Sequence, residues 1–240
     1  MDLHIHSQYS HGKGSIQDIV KIGVIKNLDY LAITEHVRSQ SSWFESFLSD
    51  MKAVKKEKDI KVISGIESKV LDFYGKLDAT ERMIRTADLV VASVHRIPSF
   101  HNMTGDLVVK KVNQDKDSIA DLYLRALCGI ASNSEVDVVG HPFHILKAIG
   151  VKRISRDYKI EIAKLFSTSG KAVEVNSFYH APDLEFLKIC LKEGAKISIG
   201  SDAHRLEDVG NVKWSIRLLK KAGGTAKDII NVDSILTRRN

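Results

Sequence analysis

Seven short apolar runs rich in β-branched residues recur along the chain, at Leu3–His6, Tyr30–Thr34, Lys61–Gly65, Leu89–Val94, Val136–Val139, Ala172–Asn176 and Lys196–Gly200. They are near-continuous rather than alternating, the pattern of parallel strands covered on both faces. Amphipathic stretches separate them: Ser15–Lys26, Ser41–Lys56, Ser118–Ser132, Tyr158–Thr168, Pro182–Lys192 and, after the last run, Asp208–Ala222. In the first of these, Ile16, Ile19, Val20, Gly23 and Val24 fall at helical spacing. Such regular strand–helix alternation leaves two architectures, a βα barrel or a doubly wound sheet. A length of 240 residues suits either as one domain spanning 1–240.

Most of these runs end in a residue that can ligate a metal. His4-Ile5-His6 closes the first, and Thr34-Glu35-His36 the second. Gly65-Ile66-Glu67, Ser93-Val94-His95, Gly140-His141-Pro142 and Ser201-Asp202-Ala203-His204 follow, with His11 in the loop after the first run. In a parallel sheet or barrel all these ends share one face, where such folds keep their sites. Residues i and i+2 on a strand project to the same side, so His4 and His6 can grip one ion. Asp202 and His204 repeat that spacing. The pattern is that of a metalloenzyme.

Taken in order from Asp2 to about Gly224, these motifs resemble those of the PHP (polymerase and histidinol phosphatase) superfamily. The resemblance implies a distorted (β/α)7 barrel, in agreement with the seven runs. It implies two or three divalent transition-metal ions bound by nine side chains. His4, His6, Glu67 and Asp202 would hold one; Glu67, bridging, with His95 and His141 a second; His11, His36 and His204 a third. Glu35 stands where the family usually has aspartate, and only a supporting or capping role is expected of it.

The chemistry follows from charge. Neutral imidazoles leave several divalent ions largely uncompensated, so the pocket suits a phosphate dianion, and paired ions can activate a water for in-line attack on phosphorus. The expected reaction is metal-dependent hydrolysis of a small phosphomonoester by activated hydroxide, as in histidinol phosphatases. Glu67, Asp202 and His204 are the expected catalytic residues, with Asp202 or His204 passing a proton to the leaving oxygen. Zinc, manganese and iron all suit such a donor set. Arg96 and Arg205, each next to a ligand, could reach a phosphate, and Asn176 and His180 are further candidates for substrate contact. Glu174 reads as half of a buried ion pair, and Trp43 and Phe44 as core or as one wall of a small-molecule pocket. His101 and His144 read as loop histidines.

Composition excludes little but fits. No apolar run approaches the ~18 residues of a membrane-spanning helix, and no room for a signal peptide precedes the first strand, so a cytoplasmic location is expected. Cys128 and Cys190 sit in helical apolar patterns and read as buried thiols. The net charge of +6 is dispersed, which disfavours the alternative of a phosphodiesterase or 3′-to-5′ exonuclease acting on nucleic acid. A non-catalytic metal-binding module would have lost ligands, and none of the nine is missing. An amidohydrolase would typically carry a bridging lysine where Glu67 stands. Residues 97–116 read equally as a lid or an ordinary long loop. Oligomeric state is left open.

Overall fold

The computed structural model describes residues 1–100, 115–151 and 154–239. Most of the segment read as lid or loop, with His101, lies outside the described residues. The strands are β1 (Tyr30–Val37), β2 (Lys61–Lys69), β3 (Leu89–Ser93), β4 (Val138–Val139), β5 (Ala172–Asn176) and β6 (Ile197–Gly200). They form one parallel sheet in sequence order. The intervening helices include Ile16–Ile25, Phe44–Val54, Lys116–Ser132, Arg156–Ser169, Leu184–Lys192 and Lys213–Ala222, within a few residues of the expected bounds. Short helices at Glu81–Thr86 and His144–Ala148, and the C-terminal helix Val232–Arg239, were not read from the sequence. Among the described residues, no helix is long and apolar enough to cross a membrane. Both cysteines are free thiols.

The expected first strand is the irregular member. It makes isolated parallel bridges, Asp2 to Leu31 and Ile5 to Ala203. Its backbone nevertheless serves both edges of the sheet. On the β1 side Asp2 N donates to Tyr30 O, and Ala32 N to Asp2 O; on the β6 side Leu3 N donates to Ile199 O, and Asp202 N to His4 O. The segment therefore closes six strands into a distorted (β/α)7 barrel. Its irregularity has a local cause. The buried Asp2 carboxylate accepts from Ser201 N and Gly210 N, both at 2.8 Å, so a side chain takes up backbone donors that a ladder would otherwise satisfy.

Two apolar layers position the site. Outside the barrel, Phe47, Met51, Tyr123, Phe166 and Phe186 pack between strands and helices. Inside it, Leu3, Ala32, Ile63, Leu89, Val91, Val138 and Ala172 form a floor, closed by Ile230, Val232 and Ile235 from the C-terminal segment. Beside that floor the buried Asp137 carboxylate accepts from Val90 N (2.9 Å), Arg239 Nε (2.8 Å) and Arg238. Stepping two residues at a time up a strand exchanges floor for chemistry: Ala32, Thr34, His36 on β1; Ile63, Gly65, Glu67 on β2; Ala172, Glu174, Asn176 on β5. Since β1 and β2 run on to Val37 and Lys69, His36 and Glu67 lie inside strands rather than at their ends. They face each other directly in register.

Candidate metal centre

Glu67 is the hub. Its side chain is fully buried, and Oε1 accepts from Ser93 Oγ (2.6 Å) and lies 2.9 Å from His141 Nε2 and 3.1 Å from His95 Nε2. Its Oε2 lies 2.7 Å from His36 Nδ1, 3.4 Å from His4 Nε2 and 3.7 Å from His6 Nε2. Asp202 Oδ1 faces the same rings, 3.2 Å from His6 Nε2, 3.8 Å from His4 Nε2 and 3.6 Å from His204 Nδ1. His11 stands at the edge, its ring 5.1 Å from that of His36. All nine expected ligands thus come together at one centre, although the first, His4, and the last, His204, are two hundred residues apart in the chain.

The surroundings aim these groups. Glu174 Oε1 lies 2.7 Å from His4 Nδ1, which turns His4 Nε2 toward the centre, and Oε2 accepts from His141 N at 2.6 Å. Gly200 makes this approach possible: a Cβ there would stand 2.4 Å from Glu174 Oε1 and 2.5 Å from His4 Cβ. Glu35 is buried and accepts from Ser7 N (2.7 Å) and from Ser10 Oγ, pinning the loop that carries His11. Backbone strain is present at two of the nine, with φ of +56° at Asp202 and +26° at His141.

Charge follows burial. Burial alone would raise the Glu67 carboxyl, but His95, His36, His4 and His141 hold it well below the ordinary range. Asp202 is likewise lowered, burial being outweighed by His4 and His6. Burial, with His36 and His4 nearby, holds His6 at about 3, a neutral ring with a lone pair to offer. Burial also lowers His4, yet Glu174, Asp202 and Glu67 prevail and place it well above its usual value.

Divalent ions fit this donor set. Among the described residues three buried side-chain atoms have no hydrogen-bond partner of good geometry, Ser68 Oγ and, at the centre, Glu67 Oε2 and His6 Nδ1, exceptions that call for a reason in a native interior. Three groups each bring their donor atoms within 4.8 Å of one another: His4, His6 and Glu67; His36, Glu67 and His95; His6, His36 and His204. The first contains three of the four residues expected at one ion and leaves out Asp202. The others differ in detail, with His36 beside Glu67 and His95, and His6 rather than His11 in the third.

The expected substrate contacts fare less well. Asn176 is fully buried, its amide donating to Asp202 Oδ2 at 3.0 Å and its carbonyl accepting from Tyr179 N at 2.9 Å, so it orients Asp202 instead of facing a ligand. Arg205 is exposed and turned to Glu207, 3.7 Å away. Arg96 is exposed and does not line the cavity beside the centre. His180 stacks on Trp214, ring centroids 4.7 Å apart, and lines a separate, more apolar cavity with Phe143, Leu146 and Pro182. His144 is no plain loop residue: its ring packs 5.8 Å from His141 and 3.6 Å from Tyr179.

The cavity that opens from the centre, about 500 Å³, is lined by His11, His36, Glu67 and His95 together with Tyr9, Ser41, Trp43, Arg38 and Lys69. Trp43 was anticipated as a wall. Arg38 and Lys69 were missed, although each stands two residues past a ligand, the same spacing that pairs His4 with His6.

A family model described as the PHP domain matches residues 2–178. The chain is 26% identical over 242 residues to a probable phosphatase of Thermoanaerobacter sp. (strain X514), covering 97% of this chain and 90% of that protein. It is also 26% identical over 249 residues to the DNA polymerase/3′-5′ exonuclease PolX of Bacillus subtilis (strain 168), spanning 98% of this chain but 39% of the longer protein. Among solved structures, the fold resembles that of histidinol phosphate phosphatase from Lactococcus lactis subsp. lactis Il1403, complexed with zinc, L-histidinol and phosphate. The TM-score is 0.66 at 21% identity, over 93% of this chain and 94% of that one.

Proposed function

The chain belongs to the PHP domain family, and from that premise we propose that it is a metal-dependent phosphatase whose substrate is a small phosphomonoester. The observation that carries this reading is Glu67, a buried carboxylate with imidazole nitrogens around both oxygens and one oxygen unsatisfied. His4, His6, Glu67 and Asp202 would hold one divalent ion, with Glu67 shared by a second; His36, His95, His141, His204 and His11 complete the set. Bound there, divalent ions supply an activated water and neutralise charge on the phosphate.

The protein's own groups do the remainder. Glu174 fixes the ring of His4, and Asn176 fixes Asp202, so neither donor must reorganise during reaction. His204 Nδ1 lies 2.9 Å from the Asp202 carbonyl, which leaves Nε2 as its free ring nitrogen. Asp202, held well below the usual carboxylate range, has no proton to give, so the proton for the departing oxygen would come from His204 where that ring is not holding an ion. Tyr179, pushed up to about 12 by burial and the neighbouring carboxylates, stays a neutral hydroxyl beside them.

A phosphodiesterase or 3′-to-5′ exonuclease is the second reading, favoured by the similarity to PolX. A monoester dianion gains more than a diester monoanion from a cation cluster. Hydrolysis of a small phosphomonoester should therefore exceed that of a bis-aryl phosphodiester or a single-stranded oligonucleotide by at least ~10-fold in kcat/KM, about 1.4 kcal/mol of transition-state stabilisation. Parallel assays on zinc-, manganese- and iron-reconstituted protein decide it, and preference for either diester overturns the phosphatase reading.

A further inference from the structure

Lys69 Nζ sits 3.3 Å from Asp78 Oδ2, while Asp78 Oδ1 accepts from Ser39 N (3.1 Å) and Ser39 Oγ (3.2 Å). Asp78 thereby ties the loop after β1 to the end of β2 and holds the ammonium in place beside the cavity. Across from it, no carboxylate pairs with the Arg38 guanidinium among the described residues, and Arg38 N donates to Ser41 Oγ at 3.0 Å. The wall behind them is braced. Tyr9 packs 5.8 Å from both Trp43 and Phe47, ring to ring, and its hydroxyl donates to Asp50 Oδ2 at 2.9 Å.

The outer wall carries one cation without an acidic partner among the described residues, Arg38, and a second, Lys69, held in place by Asp78. A flanking low-dielectric aromatic face strengthens whatever ion pair they make. The cavity volume of about 500 Å³ lies within the range of small-molecule sites. A separate cavity, lined by Phe143, Leu146 and Pro182 along with Lys147, Lys159 and Asp183, is more apolar. We propose, resting on the phosphatase reading, that the leaving alcohol carries a second anionic group, a carboxylate or another phosphate, which Arg38 and Lys69 bind against the face of Trp43.

The test reads binding as well as turnover. Trp43 and Trp214 are the chain's two tryptophans, so in a Trp214→Phe background the fluorescence reports the cavity. Manganese-loaded protein is titrated with propylphosphonate, 3-phosphonopropionate and propane-1,3-diylbisphosphonate, probes that share one phosphonate and differ at the far end. At least one doubly anionic probe should bind ~10-fold or more tightly than propylphosphonate, and which one does identifies the second anion as carboxylate or phosphate. In Arg38→Gln/Lys69→Gln that preference should fall below about twofold. The proposal is overturned if all three probes bind alike, if the preference survives the double substitution, or if the variant weakens all three equally, which would assign the cations to the shared phosphonate. Selective binding without turnover of any phosphomonoester would sink the phosphatase reading and leave the subsite standing.

Discussion

Glu67 and Asp137 are both carboxylates buried in the barrel, and they could hardly be treated more differently. Asp137, beside the floor, meets Arg238, Arg239 and the Val90 amide, donors that carry protons at any physiological pH. Arg239 spends its remaining donors on the carbonyls of Ile84 (3.1 Å), Ala87 (3.4 Å) and Glu135. Glu67, near the mouth, meets only Ser93 and imidazoles, and one of its oxygens lacks a well-formed hydrogen bond. A carboxylate ringed by permanent cations is finished and serves stability. One ringed by imidazoles retains lone pairs and an open oxygen, and is built to receive a cation from outside.

The strongest way to break this comparison is to neutralise each carboxylate in turn. Glu67→Gln should abolish metal loading and cut phosphatase activity by at least ~10³-fold, about 4 kcal/mol, with only a secondary loss of metal-free stability from the imidazoles that lose its charge. Asp137→Asn should do the reverse, costing about 2–4 kcal/mol in urea unfolding by stranding buried Arg239 while metal content is retained. Elemental analysis and unfolding curves on both variants suffice. If Asp137→Asn also empties the centre, the two carboxylates are not separate devices.

A smaller effect sharpens the contrast through pH. Burial lowers His4 and His141, but the carboxylates around them prevail, so both lie above the ordinary value of 6.5 in the metal-free centre. A raised folded-state pKa contributes stability that is complete below the unfolded value and is lost as pH rises through the folded one. Metal-free protein should therefore lose thermal stability as pH climbs above about 6.5, whereas added metal, which displaces those protons, should bind more tightly over the same window. His6, at about 3, and His144, at about 4, oppose this trend below about pH 7.5, where the unfolded chain still protonates them, and are neutral in both states above it. Melting curves with and without chelator from about pH 7.5 to 9 therefore measure both slopes. A metal-free Tm that rises across this window would show that protons do not stand in for the cations. The smallest effect is expected at the rim: Arg205→Ala, remote from both carboxylates, should change kcat/KM by less than about twofold.

How much of this was legible in the sequence depended on the reach of each signal. The strands and their ligands could be read because each is local: a β-branched run followed within a few residues by histidine, glutamate or aspartate. The irregularity of residues 2–6 could not, because it arises from backbone donors near Ser201 and Gly210 that seek Asp2. The anchoring of Arg238 and Arg239 on Asp137 spans about a hundred residues, and the Glu174–His4 contact spans 170. Asn176 was misjudged for the same reason, since its partner Asp202 comes from the next strand's end. Arg96 and Arg205 were chosen by adjacency to ligands, yet both lie past the ends of β3 and β6, where adjacency in sequence does not set a side chain's direction. Applying the two-residue rule consistently would have selected Arg38 and Lys69.

The bridging of residues 2–6 to both edges of the sheet also sets an order of assembly. Within the barrel His4 and His6 come first in chain order, and the β6 backbone they lie against follows some two hundred residues later. Ring closure is thus the most non-local step in the chain, and loop-closure entropy delays such contacts until the intervening sheet exists. Until then the two histidines have no Asp202 opposite them. The centre comes into being with the clasp, and a cation bound there holds shut the seam that folding closes last.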